Sequence, residues 1–198
     1  VGKSGFFTAL YIVMIPVIGI FIGKRPGIKL WFCVALAVVG MYLLCMKDGS
    51  FTIERADIML LLCALAFSVH ILVVDYFSPK VDGVKMSCIQ FFVCGVLSAV
   101  GMLFTETPDI SNIQAAWMPL LYAGLLSCGV GYTLQTVGQK GINPIIASLI
   151  MSLESVISAL AGWVILGQVL SLKEIIGCVL MFVAIVITQI PIGNKKTD

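Results

Sequence analysis

Apolar residues run along this chain in seven long blocks, roughly 5–23, 28–46, 57–77, 84–104, 116–137, 144–166 and 172–192, with short polar connections between them. No block alternates with the period of two that a half-buried strand needs. Each has the length, about 20 residues, that an α-helix requires to cross a bilayer. The pattern therefore predicts seven spanning helices, A to G in chain order. The connections "GKRPG", "KDGSFTIERAD", "SPKVDG", "TETPDISN", "KGINP" and "GQVLS" are rich in turn formers, and none is long enough to part independent domains. Trp31, Trp117 and Trp163 fall near span ends, where amphipathic rings sit at headgroup level. The expected fold class is an all-α polytopic membrane protein.

Composition agrees. Hydrophobic residues make up 60% of the 198 and charged residues 11%, with a mean hydropathy of +1.11, against about 45–50% and about 25% in soluble domains. The net charge of +2 comes with no basic run beyond Lys24-Arg25 and Lys195-Lys196, which argues against a nucleic-acid partner. The seven cysteines, at 33, 45, 63, 88, 94, 128 and 178, lie in apolar runs without CxxC or Cys/His spacing. They read as small hydrophobes, and neither a disulfide framework nor a metal site is expected. "GKS" at 2–4 lacks the strand and glycine spacing of a phosphate loop. No cofactor is expected.

Lys and Arg positions set the orientation. The side receiving the A–B, C–D and E–F connections and the C-terminus holds Lys24, Arg25, Lys29, Lys80, Lys85, Lys140, Lys195 and Lys196. The other side holds Lys3, Lys47, Arg55 and Lys173, and the D–E connection there carries Glu106 and Asp109 with no Lys or Arg. The richer side is the cytoplasmic one, so the chain should run from an outside N-terminus to a cytoplasmic C-terminus.

Two stretches echo each other. "GKRPGIKLWFCVAL" (23–36) aligns with "GQVLSLKEIIGCVL" (167–180), pairing Gly23 with Gly167 and Lys29 with Lys173, and "TALYIVMIPVIG" (8–19) precedes the first much as "ASLIMSLESVIS" (147–158) precedes the second. Spans A–B thus repeat as F–G. If F–G closes a five-helix unit C–G, then A–B closes an earlier one, of which three spans would precede residue 1. Internal repeats are a transporter signature.

The stretches "ADIMLLLCALAFSVHILVVDYFSPKVDGVKMSCIQFFVCG", "AGLLSCGVGYTLQTVGQKGINPIIASLIMSLESVISALAGWVILGQVLS" and "FFTALYIVMIPVIGIFIGKRP" carry a family likeness, through Tyr132, Gln135, Asn143-Pro144, Glu154 and Gly167. The chain resembles the EamA-type permeases of the drug/metabolite transporter superfamily, bacterial inner-membrane proteins of two five-helix repeats. The resemblance implies the last two helices of a first repeat at 1–46, a complete second repeat at 55–192, and a cytoplasmic tail at 193–198. It implies seven helices of a ten-helix, 5+5 inverted-repeat bundle, with A, C, D, E and F lining a central cavity and B and G as supports. Where the family often has Gly-Glu, this chain has Gly167-Gln168 and Gly23-Lys24, and Ser155 stands where a proline often follows the position of Glu154.

The residues themselves point to candidates for a cavity. Read as one helix, span F puts Ser148, Ser152, Ser155, Ala159 and Gly162 on a small-residue stripe suited to close helix packing. Ala147, Met151, Glu154, Ser158 and Ala161 lie beside it, and Leu149, Leu153, Val156, Leu160 and Val164 lie opposite. A lipid-facing carboxylate at mid-depth costs about 3 kcal/mol on insertion scales, so Glu154 should face the protein interior or a watery cavity. It reads either as a site for a substrate amine or a proton, or as a structural carboxylate bonded to a neighbouring helix. His70, the single histidine, sits in span C with the same two readings. Span D offers Ser87 and Gln90. Span E offers Cys128, Tyr132, Gln135 and Gln139, with Gly124, Gly131 and Gly138 close by. Span A offers Thr8, Tyr11 and a helix-kinking Pro16.

Other functions fit less well. A retinal protein needs a lysine inside its last helix, and Lys173 is at the edge of span G. An intramembrane enzyme needs a nucleophile with a base, or two carboxylates at depth, and no catalytic residues are expected. Phosphorylated solutes would want mid-span cations, and none is present. The expectation is a secondary transporter of small organic metabolites or drugs in the plasma membrane. Its partners are membrane lipid and that solute, and a homodimer is compatible. The alternative is a non-transporting fragment or structural membrane protein.

Overall fold

A computed structural model of the chain describes residues 2–24, 26–45, 55–105, 107 and 109–190. The tail expected at 193–198, and Arg25, Lys47 and Glu106 from the charge pattern, lie outside the described residues. Among the described residues, all seven apolar blocks are helical. Six helical stretches are long and apolar enough to cross a membrane, and Gly5–Phe21 is a shorter apolar one. Two compact units are present, one of residues 1–73 with 143–198 and one of residues 74–142.

The first unit contains α1 (Gly2–Ala9), α2 (Tyr11–Phe21), α3 (Ile28–Cys45), most of α4 (Arg55–Phe77), and, from the far end of the chain, α9 (Pro144–Met151), α10 (Leu153–Leu166) and α11 (Leu172–Gln189). Its core is built from Ile12 and Ile15 of α2, Cys33, Ala37 and Met41 of α3, Ala64 and Ile71 of α4, Leu149 of α9, and Met181 and Ala184 of α11. Between lipid-immersed helices there is no large hydrophobic drive, so close van der Waals approach holds such a core together. The crossing of α3 and α11 shows it. A Cβ on Gly40 would lie 2.8 Å from the Gly177 carbonyl oxygen, and a Cβ on Gly177 would lie 2.6 Å from the Gly40 carbonyl oxygen and 2.8 Å from the Leu44 nitrogen. The backbones touch because neither residue has a side chain. Gly40 meets Met181 while Leu44 meets Gly177, so the two helices run antiparallel. At the end of the pair the Lys29 ammonium donates to the carbonyl oxygens of Thr188, at 3.3 Å, and Ile190. Those last-turn carbonyls have no partner within their own helix.

The two ends of the chain follow the same plan. Helices α3 and α11 are each 18 residues long, and Ile28 to Leu172 and Cys45 to Gln189 are equal steps along the sequence. The same step separates Gly23 from Gly167, at φ 85° and 63°, the left-handed conformation that glycine adopts freely. Each glycine ends a helix. Lys24 N–H donates to the Gly19 carbonyl at 2.9 Å and Gly23 N–H to that of Ile20 at 3.0 Å, a Schellman closure. The counterpart is looser, with Gln168 N–H donating to the Gly162 carbonyl at 3.2 Å. Both helices before these stops carry one turn residue, Leu10 between α1 and α2 and Ser152 between α9 and α10, at which the backbone stays right-handed helical. Pro16, expected to kink span A, lies buried inside α2. The α9 start is capped by Asn143, whose side chain accepts from Ile145 N–H at 2.9 Å ahead of Pro144. The α11 start has a Ser171/Glu174 capping box.

The second unit holds the end of α4, α5 (Gly83–Thr105), two short helices α6 (Ile110–Ala115) and α7 (Trp117–Leu121), a π-helical stretch Tyr122–Tyr132, and α8 (Thr133–Gly138). A Cβ on Gly83 would lie 3.0 Å from Val137, which marks where α5 and α8 meet. Beyond Phe91, α5 has almost no buried surface. Span E, expected as one α-helix, is therefore α7, a π segment and α8 in series.

Candidate functional site: two interrupted helices and an aromatic row

Glu154 lies two residues past the turn at Ser152, in the first turn of α10. The backbone there stays right-handed helical, and Ser155 N–H donates to the Ser152 carbonyl at 3.2 Å. Tyr11 follows a similar turn at Leu10 and begins α2, which packs against α9. Both residues lie in long apolar helical stretches.

From Tyr11 a row of rings leads to α4. Tyr11 and Phe67 meet edge to face with centroids 5.2 Å apart and planes at 72°. Phe67 stacks on His70 at 5.9 Å and 22°. Such contacts add about 0.5–1.5 kcal/mol each beyond buried area, so the row fixes the half-buried His70 ring relative to α2. Tyr11 itself is buried.

The small-residue stripe behaves as packing. Ser148 and Ser152 are buried, and their hydroxyls donate within their own helix, to Ile145 at 2.8 Å and Leu149 at 2.6 Å. Ser155 and Gly162 are half-buried. In the flanking stripe Ala147 is buried, Met151 and Ala161 are half-buried and Glu154 and Ser158 are exposed, while Leu149 and Val156 of the opposite face are buried.

Gln90, Tyr132 and Gln135 belong to the second unit. Gln90 is half-buried on α5, and Tyr132 is exposed at the end of the π stretch. Gln135 is half-buried, and its amide nitrogen is enclosed without a hydrogen-bond partner. The candidates therefore form two groups, Tyr11, His70, Glu154 and Ser158 in the first unit and Gln90, Tyr132 and Gln135 in the second. Phe67, which joins Tyr11 to His70, was missed as a candidate because a phenylalanine in an apolar run carries no signal of its own. All seven cysteines are free thiols.

Residues 54–190 match the model of the EamA-like transporter family. The chain belongs to that family. It is a multi-pass membrane protein of the drug/metabolite transporter type. An uncharacterized transporter of Archaeoglobus fulgidus is 30% identical over 189 residues, covering 95% of this chain and 60% of that protein. The uncharacterized transporter YwfM of Bacillus subtilis is 25% identical over 183 residues, covering 88% and 59%. This EamA-family chain thus spans about 60% of the length of these curated relatives. A crystal structure of a protein with 17% identity superimposes with a TM-score of 0.80 over 95% of this chain and 67% of its own, which shows the fold to be shared.

Proposed function

We propose that the whole protein is a secondary transporter that moves a small organic solute by alternating access between its two repeats, with Glu154 as the group that binds the solute or a coupled proton. One observation carries this reading: Glu154 is a carboxylate within a long apolar helical stretch whose first part, α9, packs against the α2 that carries Tyr11. Repeat-built transporters place their solute and ion sites near mid-membrane, between the repeats. An ionisable group at membrane depth is costly and is kept for use. Tyr11, His70 and Ser158 complete the site within the first unit, and Gln90, Tyr132 and Gln135 are separate candidates of the second. The protein resides in the plasma membrane with the chain's N-terminus outside and its C-terminus in the cytoplasm, the orientation that the lysine and arginine distribution supports.

The test is a comparison of cells expressing the complete gene with cells expressing it with Glu154→Ala, at equal membrane levels. Untargeted measurement of metabolites inside and outside the cells should show altered uptake or efflux of at least one solute in the first strain and its loss in the second. Flux unchanged by the substitution would remove Glu154 from the mechanism.

A further inference from the structure

The π-helical stretch Tyr122–Tyr132 is 11 residues long, whereas π-helix ordinarily occurs as single turns inserted in α-helix, often at functional sites. Its flanks are α-helical on both sides, α7 ending at Leu121 and α8 starting at Thr133. The composition of the stretch permits the wider winding. Gly124, Gly129 and Gly131 lie within it, and a Cβ on Gly129 would sit 3.2 Å from the carbonyl oxygen of Gly124, five residues earlier. That approach is tighter than ordinary side-chain contact, so a side chain at 129 would press on the π winding itself. The same glycines carry no side chain that would hold the segment in either winding.

A second observation lies one turn further on. Gln135 has an enclosed amide nitrogen with no partner in this winding. A buried donor left unmet is unfavourable, so any rearrangement that offers it a partner or water is favoured. Rewinding to α changes the register of everything beyond, and each residue of register turns the downstream helix by about 100°. Gln135 and Thr136 would turn with it.

We infer that Tyr122–Tyr132 is a register switch, passing between π and α winding and so turning α8, with the Gln135 amide, between two rotational positions. Helix register shifts of this kind are an established way for a packed bundle to hold two discrete states. The switch goes beyond the transport reading, and its own readout does not require that any solute move.

The experiment is a single-cysteine scan of the whole protein in native membranes, with the natural cysteines replaced, labelled by N-ethylmaleimide at 117–121 and 133–139. The reactive positions at 117–121 should form one stripe in every background. Those at 133–139 should form two stripes on different sides of the helix, reporting both windings. Gly129→Ala should reduce the downstream pattern to one stripe. Gly124→Ala, whose Cβ would meet nothing within 4 Å, should keep both. A single downstream stripe that Gly129→Ala leaves in place would overturn the switch. Should Gly129→Ala fail to reach the membrane, the unsubstituted background decides alone, two stripes upholding the inference and one refuting it.

Discussion

Gly40 and Gly177 show how narrowly single positions control this structure. A methyl group at either would overlap backbone atoms of the facing helix at 2.6–2.8 Å, and backbone cannot swing aside as a flexible side chain does. Gly40→Ala and Gly177→Ala should each lower stability by about 1–3 kcal/mol, the usual cost of overpacking. Gly95→Ala, facing open space, should be neutral or slightly stabilising through helix propensity. Unfolding of purified protein in mixed micelles checks this, and equal stability of the three variants would contradict the crossing. Gly162→Ala should be mild, since the added methyl meets only the Gln168 side-chain oxygen at 3.0 Å. At this scale the sequence was partly readable. Glu154 stood out as a carboxylate in an apolar run, and Ser148 and Ser152 as packing residues. The contact of Phe67 with Tyr11 was not readable, because it joins helices far apart in the sequence.

Element boundaries sort by whether their cause is local. Asn143-Pro144, the Ser171/Glu174 box and the glycine stops at 23 and 167 rest on chemistry within four residues, and all are visible in the sequence. The turns at Leu10 and Ser152 have no glycine or proline beside them, so no local signal marks them. The start of α6 permits a pH test. Asp109 caps it, accepting from Ser111 N–H at 2.9 Å and from the Ser111 hydroxyl at 2.7 Å. The hydroxyl bond foremost, then the backbone bond, holds the Asp109 carboxyl below the usual aspartate range. Its folded value is thus lower than its unfolded one, so the cap contributes fully above the ordinary aspartate range and is lost as pH falls through the depressed value. Amide exchange at Ser111, corrected for intrinsic rates, should be slow above that range and lose protection below it. Protection independent of pH, or equal in Asp109→Ala, would contradict the cap.

For the molecule as a whole, hydropathy and spacing alone made the seven helices legible, because lipid forces every backbone group to be satisfied within its own helix. The repeat was legible through Gly23/Gly167 and Lys29/Lys173, although only Lys29 has its ammonium on helix-end carbonyls among the described contacts. The series of α7, π stretch and α8 was not legible, since the glycines that permit π winding also permit α. The proposed orientation has a direct check. A reporter enzyme fused after Asp198 should be active only when it requires the cytoplasm, and activity restricted to the outside would reverse the charge-based assignment. The central claim, solute movement that depends on Glu154, is tested most directly by reconstitution. The complete protein in liposomes loaded with small metabolites extracted from its host cells should deplete at least one of them from the lumen relative to protein-free liposomes, and Glu154→Ala should retain it. Identical luminal contents with the unsubstituted protein, the variant and no protein would contradict the account.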